Sequence, residues 1–210
     1  MLFNSEEERF EHFLMACEGS GFIPSENFQR WLNENNFFNA PASTKYHGAY
    51  AGGLFDHSFD VCGRLIQLTK NNDLKWERPE SPFIVGMFHD LCKCDQYIPI
   101  IEEERLTDNL DENGNPKVTK IIAGYKYNPD TVLKGHGSKS VALLKALVVL
   151  NALVDLTEEE ELCIRYHMGV YGNEQEQKEE WAGFDQAIRK YPNVLWTHMA
   201  DMLASKVDDV

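Results

Sequence analysis

Apolar residues recur along most of the chain at the three- and four-residue spacing of a helix with one buried face. In "SEEERFEHFLMACEGSG", Phe10, Phe13, Leu14 and Cys17 stand at i, i+3, i+4 and i+7, and Gly19 and Gly21 close the run. Ser5, with Glu8 three residues on, has the form of a capping box ahead of that stripe. "PSENFQRWLNEN" repeats the design with Phe28, Trp31 and Leu32. An Ala-, Gly- and Tyr-rich loop follows ("NAPASTKYHGAYAGG"). Helices are then expected over about 56–71 and 82–94, the latter carrying Phe83, Ile84, Met87, Phe88 and Leu91. Four more are expected over about 137–151, 157–168, 175–190 and 193–208. Thr157 and the acids behind it suit a helix N-terminus and its dipole.

Residues 96–131 break this period. "YIPIIEEERL" and "KVTKIIAGYKY", separated by "DENGNP", read as a β-hairpin with an Asn-Gly-type turn. Set between helices, the hairpin is expected to act as a flap, with Tyr97, Tyr125 and Tyr127 closing over a ligand or pairing across strands. The acidic stretches at 102–105 and 173–181 read as solvated faces. The expected fold class is all-α, a helical bundle with a small inserted hairpin. One domain over 1–210 is the simplest organisation.

A chain of 210 residues with 43% apolar content can bury a real core. A net charge of −14 argues against an extended nucleic-acid or anionic-membrane surface, which needs clustered Lys and Arg. No apolar run approaches the ~20 residues of a bilayer span. Five cysteines behind an acidic start with no export signal suggest a cytoplasmic protein with free thiols.

Seven histidines remain: His12, His47, His57, His89, His136, His167 and His198. His12 reads as structural. His57 opens a helix after a Gly-Gly turn, His89 and Asp90 end an apolar run, His136 sits at the mouth of a helix, and His167 ends one. Asp201 lies inside an apolar helix, where a carboxylate is costly unless paired or bound to a metal. Imidazole and carboxylate together suit Mn, Fe, Co, Ni or Zn, with Mg also compatible. Cys92 and Cys94 point about 200° apart on a helix, so they read as buried thiols.

The order H…HD…H…H…D on successive helices resembles the HD-domain metal-dependent phosphohydrolase superfamily. "YHGAYAGGLFDHS" is similar to that family's Gly-Gly-Leu-x-x-His-Ser/Thr segment, and "MFHDLCK" to its His-Asp-x-x-Lys segment. "GHGSKSV", "IRYHMG" and "HMADMLASK" resemble its later motifs. The resemblance covers about 45–206 as the HD core, leaving 1–44 as an N-terminal helical extension. It implies a first metal on His57, His89, Asp90 and Asp201. A second would share bridging Asp90 and take His136 and His167. The implied activity is hydrolysis of a phosphate ester, on a nucleotide or related small molecule, by metal-activated water.

Lys93, three residues after the His-Asp pair, falls one helical turn on and is the candidate phosphate or positioning group beside Asp90. Lys139, Arg64, His47 and His198 are weaker candidates for substrate contact. Two other functions fit the same ligand types: a di-iron oxygenase of the HD class, and a 3′→5′ exoribonuclease-like nuclease. The expected partner is a small phosphorylated substrate, and a homo-oligomer is compatible with the sequence.

Overall fold

The computed structural model describes residues 2–110, 114–133, 135–170 and 174–208. Among them are eight α-helices and one two-stranded antiparallel hairpin. The helices are α1 (Glu6–Ser20), α2 (Glu26–Glu34), α3 (Gly53–Asn72), α4 (Ser81–Phe88), α5 (His136–Val149), α6 (Glu158–Arg165), α7 (Glu174–Lys190) and α8 (Asn193–Leu203). The strands are β1 (Tyr97–Leu110) and β2 (Pro116–Tyr127). The protein is therefore mostly helical with a β insertion, rather than strictly all-α.

Local chemistry accounts for the helix ends. Ser5 Oγ accepts the Glu8 N–H at 3.1 Å, but Glu8 Oε2 reaches back to the Asn4 N–H instead of closing the box on Ser5. Gly21, in the left-handed region at φ 79°, ends α1. Phe13 and Cys17 are buried, whereas Leu14 is 37% exposed and stands outside the core. At α6 the capping box is complete, between Thr157 and Glu160.

The expected continuous helix over 82–94 is not formed. α4 stops at Phe88, His89 and Asp90 make a turn, and Leu91–Cys94 continue as a single 3₁₀ turn. The last predicted helix likewise stops at Leu203 and widens into a π turn over Ala204–Asp208.

Phenylalanines dominate the core. The Phe88 ring lies 5.2 to 6.3 Å from those of Phe13, Phe22, Phe28, Phe37 and Phe83. Residues from the first two helices thus pack around the residue that precedes His89. Truncating such a side chain to Ala costs about 3–5 kcal/mol.

α3 packs against α4 and α8, and α6 against α4, α5 and α8. Two glycines permit close approaches between helices. A Cβ on Gly86 would land on the Cys62 backbone, so α4 can lie directly on α3. A Cβ on Gly137 would land on the Arg165 carbonyl, so the start of α5 can touch the end of α6.

Two acids of the α6 N-terminus fasten neighbouring elements. Glu160 takes a forked pair from Arg78, Nε to Oε1 at 2.8 Å and Nη2 to Oε2 at 2.6 Å, and also the Ser81 hydroxyl at 2.8 Å. Glu159 accepts the Glu77 N–H at 3.0 Å and Asn193 Nδ2 at 2.9 Å, tying in the start of α8.

The hairpin pairs Tyr97 with Tyr127, their rings 5.2 Å apart, and Pro99 with Tyr125. Its register slips at three places, and residues 102–105 are exposed as expected. The Asn128 N–H donates to the Gln96 carbonyl at 2.9 Å and closes its base. The Asn-Gly turn falls partly outside the described residues; of the 173–181 stretch, residue 173 does, and the remainder belongs to α7, with the side chains of 174–179 outside the description. No described helix is long and apolar enough to cross a membrane.

Candidate metal centre

Five segments bring side chains together around Asp90, all of them buried except the half-buried His136. His57 comes from the first turns of α3, His89 and Asp90 from the turn after α4, His136 from the first position of α5, His167 from just beyond α6, and Asp201 from α8. His57, His89, Asp90 and His167 are 2% exposed or less, and Asp201 is 8% exposed.

The two carboxylate oxygens of Asp90 face different neighbours. Oδ2 lies 3.3 Å from His89 Nε2 and 3.6 Å from His57 Nε2, while Oδ1 lies 3.3 Å from His167 Nε2. Asp201 Oδ1 is 3.1 Å from His57 Nε2, and the two Nε2 atoms of His57 and His89 are 3.3 Å apart. Backbone carbonyls set the tautomers. His89 Nδ1 donates to the Gly86 carbonyl at 2.8 Å and His167 Nδ1 to the Ile164 carbonyl at 2.6 Å, so a neutral ring aims its Nε2 lone pair at the centre.

Asp90 Oδ1 and His167 Nε2 are buried without a hydrogen-bond partner. Buried polar atoms are nearly always satisfied, and converging lone pairs of this kind fit a cation. Two sets of ligand atoms are close enough to share one: His57, His89 and Asp90, and then Asp90, Cys92 and His136. Buried His, Asp and Cys groups here can hold a metal ion.

The electrostatics are those of a desolvated, mixed-charge cluster. Burial opposes ionisation of Asp90, but the Lys93 ammonium and the His89 ring outweigh it and hold the carboxyl well below its usual range. Asp201 is depressed in the same sense, the bond from His57 overcoming burial. Burial pushes His57 and His136 down, whereas the charge of Asp90 outweighs burial at His89 and raises it. Lys93 is raised because Asp90 outweighs its burial.

The centre borders a cavity of about 80 Å³ lined by His47, Asp90, Lys93, Met168, Asp201, Met202, Ser205 and Lys206. The His47 ring is 4.9 Å from that of His57, and its Nδ1 is buried with no partner. Burial, with help from the charges of His57 and Lys93, pushes His47 down to about 4.

The remaining sequence candidates are spread out. His198 is one step behind the centre, its Nδ1 donating to the His167 carbonyl at 2.7 Å. Lys139 is buried and paired with Asp95. Arg64 pairs with Asp60 on the same helix at 2.9 Å.

Three features escaped sequence reasoning. Cys92 lies 3.8 Å by its Sγ from His136 Nδ1, a placement hidden by assuming a continuous α-helix. Lys206 reaches the cavity from the π turn. Asp56, beside His57, is fully buried and accepts three bonds of 2.8 Å, from Arg9, Tyr50 and the Leu2 N–H.

No protein-family model, curated protein or solved structure matches the chain. Fold and site together define a mostly helical protein with a buried cluster of potential metal ligands.

Proposed function

We propose that the protein is a metal-dependent phosphohydrolase of the HD type, acting on a phosphate ester of a nucleotide or related small molecule. The observation that carries this reading is the Asp90 carboxylate, which turns one oxygen to His57 and His89 and the other to His167. A shared carboxylate between two histidine-bearing positions suits a pair of divalent ions, with Asp201 completing the first position and His136 the second. Such ions supply Lewis acidity and lower the pKa of a coordinated water toward about 7.

The chain's own residues add the rest. Lys93 holds Asp90 Oδ2 at 2.6 Å and lines the cavity, so its ammonium meets any anion that enters. Lys206 adds a second positive charge at the exposed rim. These two charges favour a phosphate locally, against the overall net charge of −14. His47 lines the cavity with an unpartnered, buried Nδ1, and burial keeps its ring from charging, so it is a candidate proton acceptor.

The test is phosphate release from a panel of nucleoside mono-, di-, tri- and cyclic phosphates, with Mn²⁺ or Co²⁺ occupancy verified by elemental analysis. Turnover of at least one class is expected. A fully loaded protein that turns over none of them overturns the reading.

A further inference from the structure

Cys92 is fully buried and does not share its surroundings with Cys94 in the way a Cys-x-Cys metal clip would. Instead its Sγ, a carboxylate oxygen of Asp90 and a ring nitrogen of His136 lie within 4.8 Å of one another. The Cys92 backbone N–H donates to Ser140 Oγ at 3.0 Å, which pins this residue to the first turns of α5, the helix that begins with His136.

We propose that Cys92 is a ligand of the second cation position, making it a mixed thiolate site of Asp90, Cys92, His136 and His167. This rests on the metal-centre reading and adds a donor that neither the ligand pattern nor the proposed reaction calls for. The geometry fits. With bonds of about 2.3 Å to sulfur and about 2.0–2.1 Å to nitrogen, a tetrahedral S···N edge is about 3.5 Å and an N···O edge about 3.4 Å. The Sγ to His136 Nδ1 separation is 3.8 Å, and His167 Nε2 to Asp90 Oδ1 is 3.3 Å. A second, independent pointer is that Asp90 Oδ1 and His167 Nε2, both in side chains at most 2% exposed, have no other partner.

The chemistry has a definite sign. As a divalent ion binds, the S–H bond breaks, a metal–sulfur bond forms and the proton leaves to solvent. A thiolate in the set selects Zn²⁺ or Co²⁺ over the harder Mn²⁺ and Mg²⁺. The second position is then the thiolate-rich one, and the His57, His89, Asp90 and Asp201 position the harder one.

The experiment loads the intact protein with Co²⁺ and records its absorption. Ligand-field bands together with a near-ultraviolet sulfur-to-cobalt charge-transfer band are expected. The charge-transfer band should vanish in C92S and persist in C94S. Zn²⁺-loaded wild type, which needs no variant to fold, should show by X-ray absorption a sulfur shell at about 2.3 Å. Ligand-field bands without charge transfer, or a shell of nitrogen and oxygen alone, overturn the thiolate assignment and leave the metal centre standing. Loss of the band in C94S instead of C92S overturns it too. No uptake of Co²⁺ or Zn²⁺ at all overturns the metal-centre reading itself.

Discussion

Lys93 Nζ lies 2.6 Å from Asp90 Oδ2, the oxygen that also lies 3.3 Å from His89 Nε2. One carboxylate oxygen is thus shared by a buried ammonium and an imidazole, while its twin faces a third ring. Asp90 is where charge balance and ligand geometry meet.

Asp90→Asn keeps the shape and removes the charge. It strands the Lys93 ammonium in the interior, and breaking a buried pair from one side costs about 3–5 kcal/mol. Calorimetry should show divalent-ion binding lost, and urea denaturation a destabilised metal-free protein. Unchanged metal affinity would remove Asp90 from the centre.

Lys93→Met separates two roles of the lysine. Without the ammonium, Asp90 depends on a bound ion for compensation, so added metal should raise Tm more in the variant than in wild type. If Lys93 also meets the phosphate, kcat should fall about 10²-fold while metal affinity changes little. Equal thermal shifts in the two proteins would show that Lys93 does not neutralise Asp90.

His47 gives a pH signature in the metal-free protein. The unfolded chain takes up a proton near the ordinary value of 6.5, the folded ring only near 4. Between those values the unfolded state binds more protons, so stability falls as pH drops through the window. His57 and His136 act in the same direction, His89 in the opposite one. His47→Gln should flatten the fall in denaturation free energy between about pH 6 and 4 without abolishing it. An unaltered slope would place His47 in water.

Gly137→Ala probes the α5–α6 contact. Its new methyl meets the Arg165 carbonyl, and overpacking of this kind costs about 1–3 kcal/mol. Since Gly137 follows His136 and Arg165 precedes His167 by two residues, on the proposed two-ion reading binding should drop from two ions to one. Elemental analysis giving two ions per chain would contradict this.

Much of the helical scaffold was legible because its apolar stripes and caps are local signals. The candidate ligands were nominated less by local signals, though His136 and His167 stand at helix boundaries and Asp201 interrupts an apolar face, than by the resemblance of their order along the chain to the HD pattern. What sequence period could not carry was the break after Phe88. Five aromatic rings hold Phe88 in place, and the chain then turns through His89 and Asp90 into a 3₁₀ segment. That change of pitch brings Cys92 to His136, and a helical wheel drawn through 82–94 sends it elsewhere. Leu14 shows the opposite error, an apolar residue at core spacing that the fold leaves outside. Arg9, charged and on the same helix, is buried because Asp56 awaits it at 2.8 Å, a pairing 47 residues distant that no local pattern encodes.

The bond between the Gln96 carbonyl and the Asn128 N–H has a consequence for how this architecture can change. With the bonds of Asn128 Nδ2 and Thr131 Oγ1 to the Asp95 carbonyl, at 2.9 and 3.0 Å, it draws together the two ends of a 14- and a 12-residue strand. None of the six converging His and Asp residues lies within these two strands. On the proposed reading, a change in the ribbon's length removes no metal ligand, whereas a change at Tyr97, whose charge acts on Lys93, reaches the site.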